Sequence, residues 1–234
     1  MAHVSKFTDR SVSVHLRHIS RQIENPSNKN IDPERTPLNY CPLSDDTSTA
    51  FDGAAAYHEA FSIYTDRKSE LHYYNRDDVK TLVGWVLTAP ENITESTELH
   101  DFFRLSSEYM CTRYGRENVV AAVVHMDEAT PHLHFYFIPV VPDSKHGGEK
   151  ICCCEVLNRT ELRTFHDDLQ KYLDSHGCTA QVKNGAVAAA DGIDFTVSQL
   201  KAGLRDAYLE QKELQHDRWH ASKKTIEREE EIHW

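Results

Sequence analysis

Apolar residues recur along this chain with two different spacings, which separate the predicted helices from the predicted strands. Steps of four, three and four residues separate Val12, Leu16, Ile19 and Ile23. This spacing is typical of an amphipathic helix, which we predict over residues 11–24. The helix should end near Pro26, because proline cannot continue the hydrogen bonding of a helix.

The rest of the pattern predicts helices packed on an antiparallel sheet, an α+β fold class. Strands are predicted at 2–8, 82–90, 118–125 and 132–140, and helices at 51–64, 94–115 and 158–177. We expect hydroxyl N-caps for the last two helices, Thr160 in the second case, with Gly177 ending that helix. Three consecutive cysteines at 152–154 should lie on a strand, on alternating faces. The chain then divides into a domain at 1–195 and a long C-terminal helical extension at 196–234.

Three histidines are concentrated at the tip of the predicted hairpin, in the stretch HMDEATPHLH. Side chains two residues apart on a strand point to the same face, so His132 and His134 face one side together. His125 ends the preceding strand and reaches the same point across the turn. Three converging imidazoles are typical of a metal site with open coordination positions, which suits catalysis.

Asp127 and Glu128 lie in the turn between these histidines, where they would orient a ligand or act as a base. There are two alternatives to a catalytic metal site. The histidines could bind no metal, or they could bind a metal with a purely structural role. The density of specified residues argues against the first. The second would normally require a fourth protein ligand.

Length and composition exclude several classes of protein. The 234 residues are 39% hydrophobic, enough for one sizeable core. No apolar run approaches the ~20 residues needed to span a bilayer, and no signal peptide is evident, so we expect a cytoplasmic protein. The six cysteines include no CxxC pair, which argues against a disulfide framework or a zinc knuckle.

The net charge argues against a general nucleic-acid-binding protein, since it is −11 at neutral pH. Its distribution is uneven: residues 1–40 hold six basic and four acidic residues, a net charge of +2, whereas the remainder has a net charge of −13. Any surface that binds an anion should therefore draw on the N-terminal segment.

The stretch HMDEATPHLHFYF resembles the metal motif of the Mob/Pre family of plasmid mobilisation relaxases, which are HUH endonucleases. That family has a second signature near its N-terminus: a histidine, an arginine three residues later, and an NK…P…R…LNY stretch. Here His18-Ile19-Ser20-Arg21 is followed by SNKNIDPERTPLNY. Two motifs in the family's order make the resemblance specific.

The resemblance implies a palm-like antiparallel sheet flanked by helices and an enzyme that nicks one DNA strand at a plasmid transfer origin. Such enzymes stay joined to the 5′ phosphate and later rejoin the strand, in conjugative mobilisation or plasmid recombination. The matching metal ligands are His125, His132 and His134. His18 matches the nucleophile, and Glu128 matches the acid that orients or deprotonates it.

The resemblance also implies partners and a cofactor. Arg21 would hold a phosphate, because a guanidinium matches its geometry. The residues expected to contact single-stranded or supercoiled origin DNA are Arg21, Lys29, Arg35, Asn39 and Tyr40. We favour Mn²⁺ over Mg²⁺, since Mg²⁺ binds nitrogen poorly. The C-terminal extension would support a dimer.

Three other functions remain open at this point. A replication initiator or transposase of the same superfamily would usually employ a tyrosine, for which Tyr40 is the candidate. A metallohydrolase acting on a small phosphoester or amide would need the histidines alone and would form no covalent adduct. A DNA-binding repressor with an inactive site would bind without nicking.

Overall fold

The computed structural model describes residues 2–23, 31–44, 50–93 and 95–182. The strands are β1 (Ala2–Thr8), β2 (Lys80–Thr88), β3 (Val119–His125), β4 (His132–Phe137), β5 (Val140–Pro142) and β6 (Glu149–Ile151). The helices are α1 (Val12–Ile19), α2 (Gly53–Ser69), α3 (Ser96–Tyr114), α4 (Cys153–Val156) and α5 (Arg159–Ser175). Within these ranges, no helix is both long and apolar enough to cross a membrane. The predicted extension at 196–234 and the boundary at 195 lie outside the described residues.

The four long strands form one antiparallel sheet in the order β1-β2-β4-β3. β4 is therefore an interior strand, hydrogen-bonded on both sides. Its first residue, His132, pairs with His125, the last residue of β3. β5 and β6 form a separate hairpin. The predicted α+β class, an antiparallel sheet with helices packed on it, is confirmed.

Alternation along β4 gives the sheet two faces with different neighbours. Leu133, Phe135 and Phe137 pack into one buried cluster with side chains of α3 and α5. Tyr136, on the other face, packs into a second cluster with side chains of α1 and α2. Full burial of one such large apolar side chain contributes about 1.5–3 kcal/mol. The two clusters thus fix β4 from both sides, and the remaining even-numbered side chains of β4 lie on the α1 face.

The predicted strand at 132–140 ends at Phe137 and the predicted helix at 51–64 continues to Ser69, so both were wrong in extent. Two further predictions were also wrong. α1 ends at Ile19 instead of residue 24, because Arg21 adopts left-handed backbone (φ 58°) and directs its side chain to the acids of the hairpin turn. The cysteine run does not lie on a strand, since β6 ends at Ile151 and Cys153–Val156 form a helical turn. That turn places Cys153 and Leu157, four residues apart, in the same buried cluster.

The predicted hydroxyl caps were also wrong. α5 starts at Arg159, so its cap is Asn158, whose side chain accepts a hydrogen bond from the Glu161 amide. Thr160 already lies inside the first turn. Glu95 precedes α3 and makes no capping hydrogen bond through its side chain. Gly177, with φ 72°, follows the end of α5 as predicted.

Gly84 of β2 provides a test of the packing between β2 and β4. It pairs with Tyr136, and a Cβ atom at Gly84 would collide with the Tyr136 ring and lie 2.9 Å from Phe7 Cε2. Gly84→Ala should lower the free energy of unfolding by about 1–3 kcal/mol, measured by urea denaturation. In a Tyr136→Leu background the same change should cost less, because the ring is gone. An equal cost in both backgrounds would contradict this packing.

Candidate metal centre

Strand pairing brings the three predicted metal ligands together on the α1 face of the sheet. His125 and His132 are register partners, and His134 follows two residues along β4. Their ring centroids are 4.6–5.2 Å apart. One ring nitrogen from each histidine lies within 4.8 Å of the other two. His125 and His134 are buried, and His132 is partly exposed, so the cluster opens to solvent on the His132 side.

Hydrogen bonds to backbone carbonyls fix which nitrogens are available to a metal. His125 donates from Nε2 to the Ile19 carbonyl at 2.8 Å, and His132 donates from Nδ1 to the Thr130 carbonyl at 2.9 Å. In the neutral form of each ring the lone pair then lies on His125 Nδ1 and on His132 Nε2, because a neutral imidazole carries a single N–H. His125 Nδ1 is buried and has no hydrogen-bond partner among the described residues. These donors fit a divalent metal held by imidazoles whose outer nitrogens are anchored to carbonyls.

The buried rings are neutral at pH 7. Burial lowers the pKa of His125 and His134 well below the usual value, and the charge of Arg21 lowers both further. His132 Nε2 and His134 Nε2 lie only 3.1 Å apart, which is compatible with lone pairs directed at a common point. Neutral imidazoles bind a metal without first losing a proton to solvent.

Glu128 borders the imidazoles. Its Oε1 lies 4.0 Å from His125 Nδ1 and 3.9 Å from His132 Nε2. The same oxygen accepts a hydrogen bond from Arg21 Nη2 at 2.8 Å. Arg21 thus holds the Glu128 side chain at the edge of the cluster.

Asp127 is the buried anchor of the turn. Its side chain is fully buried and accepts hydrogen bonds from Arg21, Thr36 and Asn39. Burial alone would raise the pKa of Asp127, but the hydrogen bonds and charge of Arg21 outweigh it and lower the pKa to about 2. Asp127 thus joins the end of α1 and the segment at 36–39 to the hairpin turn, and its oxygens are occupied by these contacts.

Arg21 ends α1 in a conformation that usually belongs to glycine. The Arg21 amide donates to the His18 carbonyl and the Gln22 amide to the Arg17 carbonyl, the two bonds of a Schellman motif. A non-glycine residue in left-handed backbone costs about 1 kcal/mol. The bidentate contact with Asp127, at 2.9 and 2.6 Å, offsets that cost and sets the direction in which α1 ends.

His18 lies one turn before this point and faces the cluster. Its ring centroid is 5.7 Å from that of His134 and 6.2 Å from that of His125. Partial burial lowers the pKa of His18, and Arg21 lowers it further, while Glu128 opposes the shift. His15, on the same helix, stacks against Phe7 at 3.8 Å instead.

The predicted DNA-contacting residues have well-defined protein contacts. Arg35 is buried and donates from Nη2 to the Met126 carbonyl. Asn39 donates to Asp127 and accepts from the Met126 amide at 2.7 Å. Both therefore support the backbone around the turn, as Arg21 does. Whether they also touch DNA stays a prediction, and Lys29 lies outside the described residues.

Tyr40 packs away from the histidines. It forms an isolated bridge with Val124, and its ring stacks on His100 of α3 at 4.7 Å, against the cluster on the α3 face. Burial raises the pKa of its hydroxyl, which has no hydrogen-bond partner in the part of the chain that the structure describes. The sheet separates this hydroxyl from the imidazoles.

Comparison with known proteins relates this chain to plasmid recombination enzymes. A family model described as "Plasmid recombination enzyme" matches residues 1–187. A plasmid recombination enzyme of Lactiplantibacillus plantarum is 31% identical over 171 residues, covering 71% of this chain and 44% of that protein. One from Streptococcus agalactiae is 27% identical over 224 residues, covering 94% and 42%. The chain thus spans less than half the length of these relatives.

A solved structure shares this architecture. The Mn-bound MobM relaxase domain in complex with plasmid oriT DNA superposes with a TM-score of 0.62 at 25% identity. The match covers 87% of this chain and 98% of that domain. The described sheet and helices therefore have a fold similar to that of the MobM relaxase domain.

Asp127→Asn tests the anchor. The amide keeps the shape of the side chain but removes the buried charge that pairs with Arg21, whose contact with Glu128, a partly exposed side chain, remains. Breaking a buried ion pair in this way should lower the free energy of unfolding by about 3–5 kcal/mol, measured by urea denaturation of metal-free protein.

The matched control is Asp78→Asn, which removes an ion pair with Arg76 whose side chains are 67% and 70% exposed. Such surface pairs contribute less than about 1 kcal/mol. Equal losses in the two variants would show that Asp127 is not the anchor.

Proposed function

Because this chain belongs to the plasmid recombination enzyme family, we propose that it nicks and rejoins one DNA strand at a plasmid transfer origin, with a divalent metal at His125, His132 and His134. The reaction would take place in the cytoplasm, on single-stranded or supercoiled plasmid DNA. The DNA partner is supported by MobM, whose relaxase domain is bound to plasmid oriT DNA.

The observation that carries this proposal is the position of His18. Its imidazole faces the three-histidine cluster at centroid distances of 5.7 and 6.2 Å, on the same face of the sheet. A nucleophile beside a phosphate-activating metal is the arrangement that strand transfer requires. A metallohydrolase acting on small molecules would not require a nucleophilic side chain at this position.

Strand transfer by His18 follows from ordinary phosphoryl chemistry. The lone pair of one ring nitrogen attacks phosphorus, the N–P bond forms, and the P–O3′ bond breaks. The 3′ oxygen leaves and takes up a proton, while the 5′ phosphate stays on the histidine. A bound metal would polarise the scissile phosphate. Rejoining is the reverse, with the 3′ hydroxyl displacing the imidazole.

Glu128 and Arg21 would support the nucleophile. Glu128 accepts the proton of the second His18 nitrogen, or orients that nitrogen, because its charge acts on the His18 ring. Arg21 donates a hydrogen bond to Glu128 Oε1 at 2.8 Å and so holds that carboxylate in place. A direct contact between Arg21 and the phosphate would fall to Nη1, the guanidinium nitrogen without a partner among the described residues.

Mn²⁺ is the favoured metal. All three proposed ligands donate nitrogen, which Mg²⁺ binds poorly, and phosphoryl chemistry needs open positions that a six-coordinate ion provides. The MobM relaxase domain was solved with Mn bound. Dimerisation through residues 196–234 stays a prediction, since these residues lie outside the described part of the chain.

A direct test is incubation of a supercoiled plasmid carrying the element's own origin with the protein and Mn²⁺. Nicked circles together with a protein–DNA adduct would support the proposal. Specific binding without nicking would favour a repressor, and turnover of small phosphoesters without an adduct would favour a metallohydrolase.

The metal ligands are tested by thermal unfolding. Mn²⁺ should raise the melting temperature of metal-free protein, because an ion that binds only the folded state at 100 times its Kd stabilises by about 2.7 kcal/mol. His132→Ala or His134→Ala should remove most of this gain. His15→Ala, which replaces a histidine stacked on Phe7, should keep it. A full gain in both ligand variants would remove the assignment.

The nucleophile is tested by the chemistry of the adduct. A phosphohistidine bond is labile in acid and stable in base, whereas a phosphotyrosine bond survives acid. The adduct with an origin oligonucleotide should therefore disappear on mild acid treatment. His18→Ala should eliminate it but keep the gain in melting temperature with Mn²⁺.

Two further variants sharpen this result. Tyr40→Phe should still form the adduct, because its hydroxyl lies on the other face of the sheet. Glu128→Ala should slow adduct formation by about 10²–10⁴-fold, the usual contribution of a general acid–base group. An acid-stable adduct that is lost in Tyr40→Phe and kept in His18→Ala would assign the protein to the tyrosine-dependent enzymes.

A further inference from the structure

A second group of potential metal ligands lies at the β5–β6 hairpin. Asp143 Oδ2 accepts hydrogen bonds from His72 Nδ1 at 3.1 Å and from His146 Nδ1 at 2.9 Å. The two ring centroids are 5.8 Å apart and the planes are nearly perpendicular. One ligand atom from each residue lies within 4.8 Å of the other two. Two imidazoles from distant parts of the sequence therefore converge on one carboxylate oxygen.

Backbone hydrogen bonds fix His72 and Asp143 independently of these side-chain contacts, and the His146 amide donates to Asp143 Oδ1. The His72 amide donates to the Glu149 carbonyl, and the Ile151 amide donates to the His72 carbonyl, so His72 is attached alongside β6. The Asp143 amide donates to the Gly148 carbonyl at 2.9 Å, which closes the turn. Gly148 has φ 72°, left-handed backbone that favours glycine. The ligand-bearing positions are thus held in place before any ion binds.

The carboxylate of Asp143 is oriented as metal-binding carboxylates usually are. Its Oδ1 accepts hydrogen bonds from the amides of Lys145 and His146 at 3.0 and 3.3 Å, while Oδ2 faces the two imidazoles. Hydrogen bonds on the non-ligating oxygen orient a carboxylate and are part of well-built metal sites. The carboxylate itself is buried, whereas the side chains of His72 and His146 are 56% and 53% exposed, so an ion and water can reach the rings.

The donor set determines the class of ion. Two imidazoles and one carboxylate, with room for water, suit Zn²⁺ or a similar divalent transition metal; Mg²⁺ and Ca²⁺ prefer oxygen. Both nitrogens now donate a proton to the carboxylate. On metal binding the two protons on Nδ1 would have to leave, and the ion would take their place between the three ligand atoms.

This group is separate from the three-histidine cluster. The cluster lies at the start of β4, and the hairpin follows the end of β4, a six-residue strand. At about 3.4 Å per residue the two groups are roughly 20 Å apart along the strand. One ion cannot bridge them, and neither group depends on the other's ligands.

We propose that His72, Asp143 and His146 form a second, zinc-class metal site that joins the connection between α2 and β2 to the β5–β6 hairpin. The site is independent of DNA nicking. Its ion would tie residue 72 to the hairpin and stabilise this end of the sheet.

The experiment counts bound Zn²⁺ by equilibrium dialysis of chelator-treated protein. All variants carry Cys152→Ser and Cys154→Ser, because these two thiols lie 3.4 Å apart and would themselves bind zinc. His72→Ala/His146→Ala should bind one equivalent less than the parent. The matched control, His58→Ala/His176→Ala, replaces two exposed helical or helix-end histidines and should bind as much as the parent.

Zinc bound by the three-histidine cluster is counted with a second pair of substitutions. His132→Ala/His134→Ala should also bind one equivalent less, and the four-fold variant two less. In chelator, His72→Ala/His146→Ala should melt at a lower temperature than the parent, because Asp143 Oδ2 loses two hydrogen bonds, but still in one cooperative transition, which excludes misfolding as the cause. A His72→Ala/His146→Ala protein that binds as much zinc as the parent would overturn the proposal.

A local measurement gives an independent result. Zn²⁺ should slow hydrogen exchange at the His72 and Ile151 amides, which join His72 to β6. The slowing should persist in His132→Ala/His134→Ala and be absent in His72→Ala/His146→Ala. If it instead follows the three-histidine cluster, the second site is excluded. Nicking with Mn²⁺ should be unaffected by His146→Ala, so failure of this proposal is distinct from failure of the proposed function.

Discussion

The buried contact between Arg21 and Asp127 is the constraint on which the site depends. A fully buried carboxylate must be paired, because an unpaired charge in the interior costs several kcal/mol. The partner comes from the end of α1, and reaching it requires Arg21 to adopt left-handed backbone at φ 58°. This fixes both the last turn of α1 and its direction, and His18 lies on that turn. The distance between His18 and the histidine cluster is therefore set by an ion pair that does not itself include either.

The same contact explains why the N-terminal motif contains so many polar residues in fixed order. Asn39 satisfies both Asp127 and the Met126 amide, and Arg35 satisfies the Met126 carbonyl. A turn that presents two carboxylates beside three imidazoles has few apolar contacts to hold it. Its backbone polar groups must be satisfied by side chains, since unsatisfied buried groups cost about 1–3 kcal/mol each. Arg35 and Asn39 thus hold the backbone of the turn that follows β3.

Sequence spacing predicted the parts of this arrangement that are local. Period-two alternation placed His132 and His134 on one face, and the short turn placed His125 opposite them, as the register shows.

The features that the sequence pattern did not predict depend on long-range contacts. α1 was predicted to continue to residue 24, because nothing local marks Arg21 as a helix end, and only the carboxylate more than a hundred residues later makes it one. Contact of Arg35 and Asn39 with DNA stays a prediction. Their role in holding the turn was not predicted, because their buried partners lie far away in the sequence. The His72–Asp143–His146 group was not predicted at all, since its members are far apart in the sequence and follow no recognised spacing.

The two faces of β4 also decide which residue is suited to attack DNA. Odd-numbered side chains of this strand are apolar and pack under α3 and α5, and any group on that face is shielded from a substrate by a helical layer. Tyr40 lies on that face: its hydroxyl is buried, and burial raises its pKa, which disfavours the phenolate that would attack phosphorus.

The even-numbered side chains of β4 face α1, where the buried layer ends at the histidines and Glu128. An imidazole needs no such ionisation, because its neutral form carries the lone pair, and the lowered pKa of His18 keeps that form dominant at pH 7. In the proposed reaction, a nucleophile supplied by α1 would lie close to the proposed metal ligands, with its ring in the protonation state that attack on phosphorus requires.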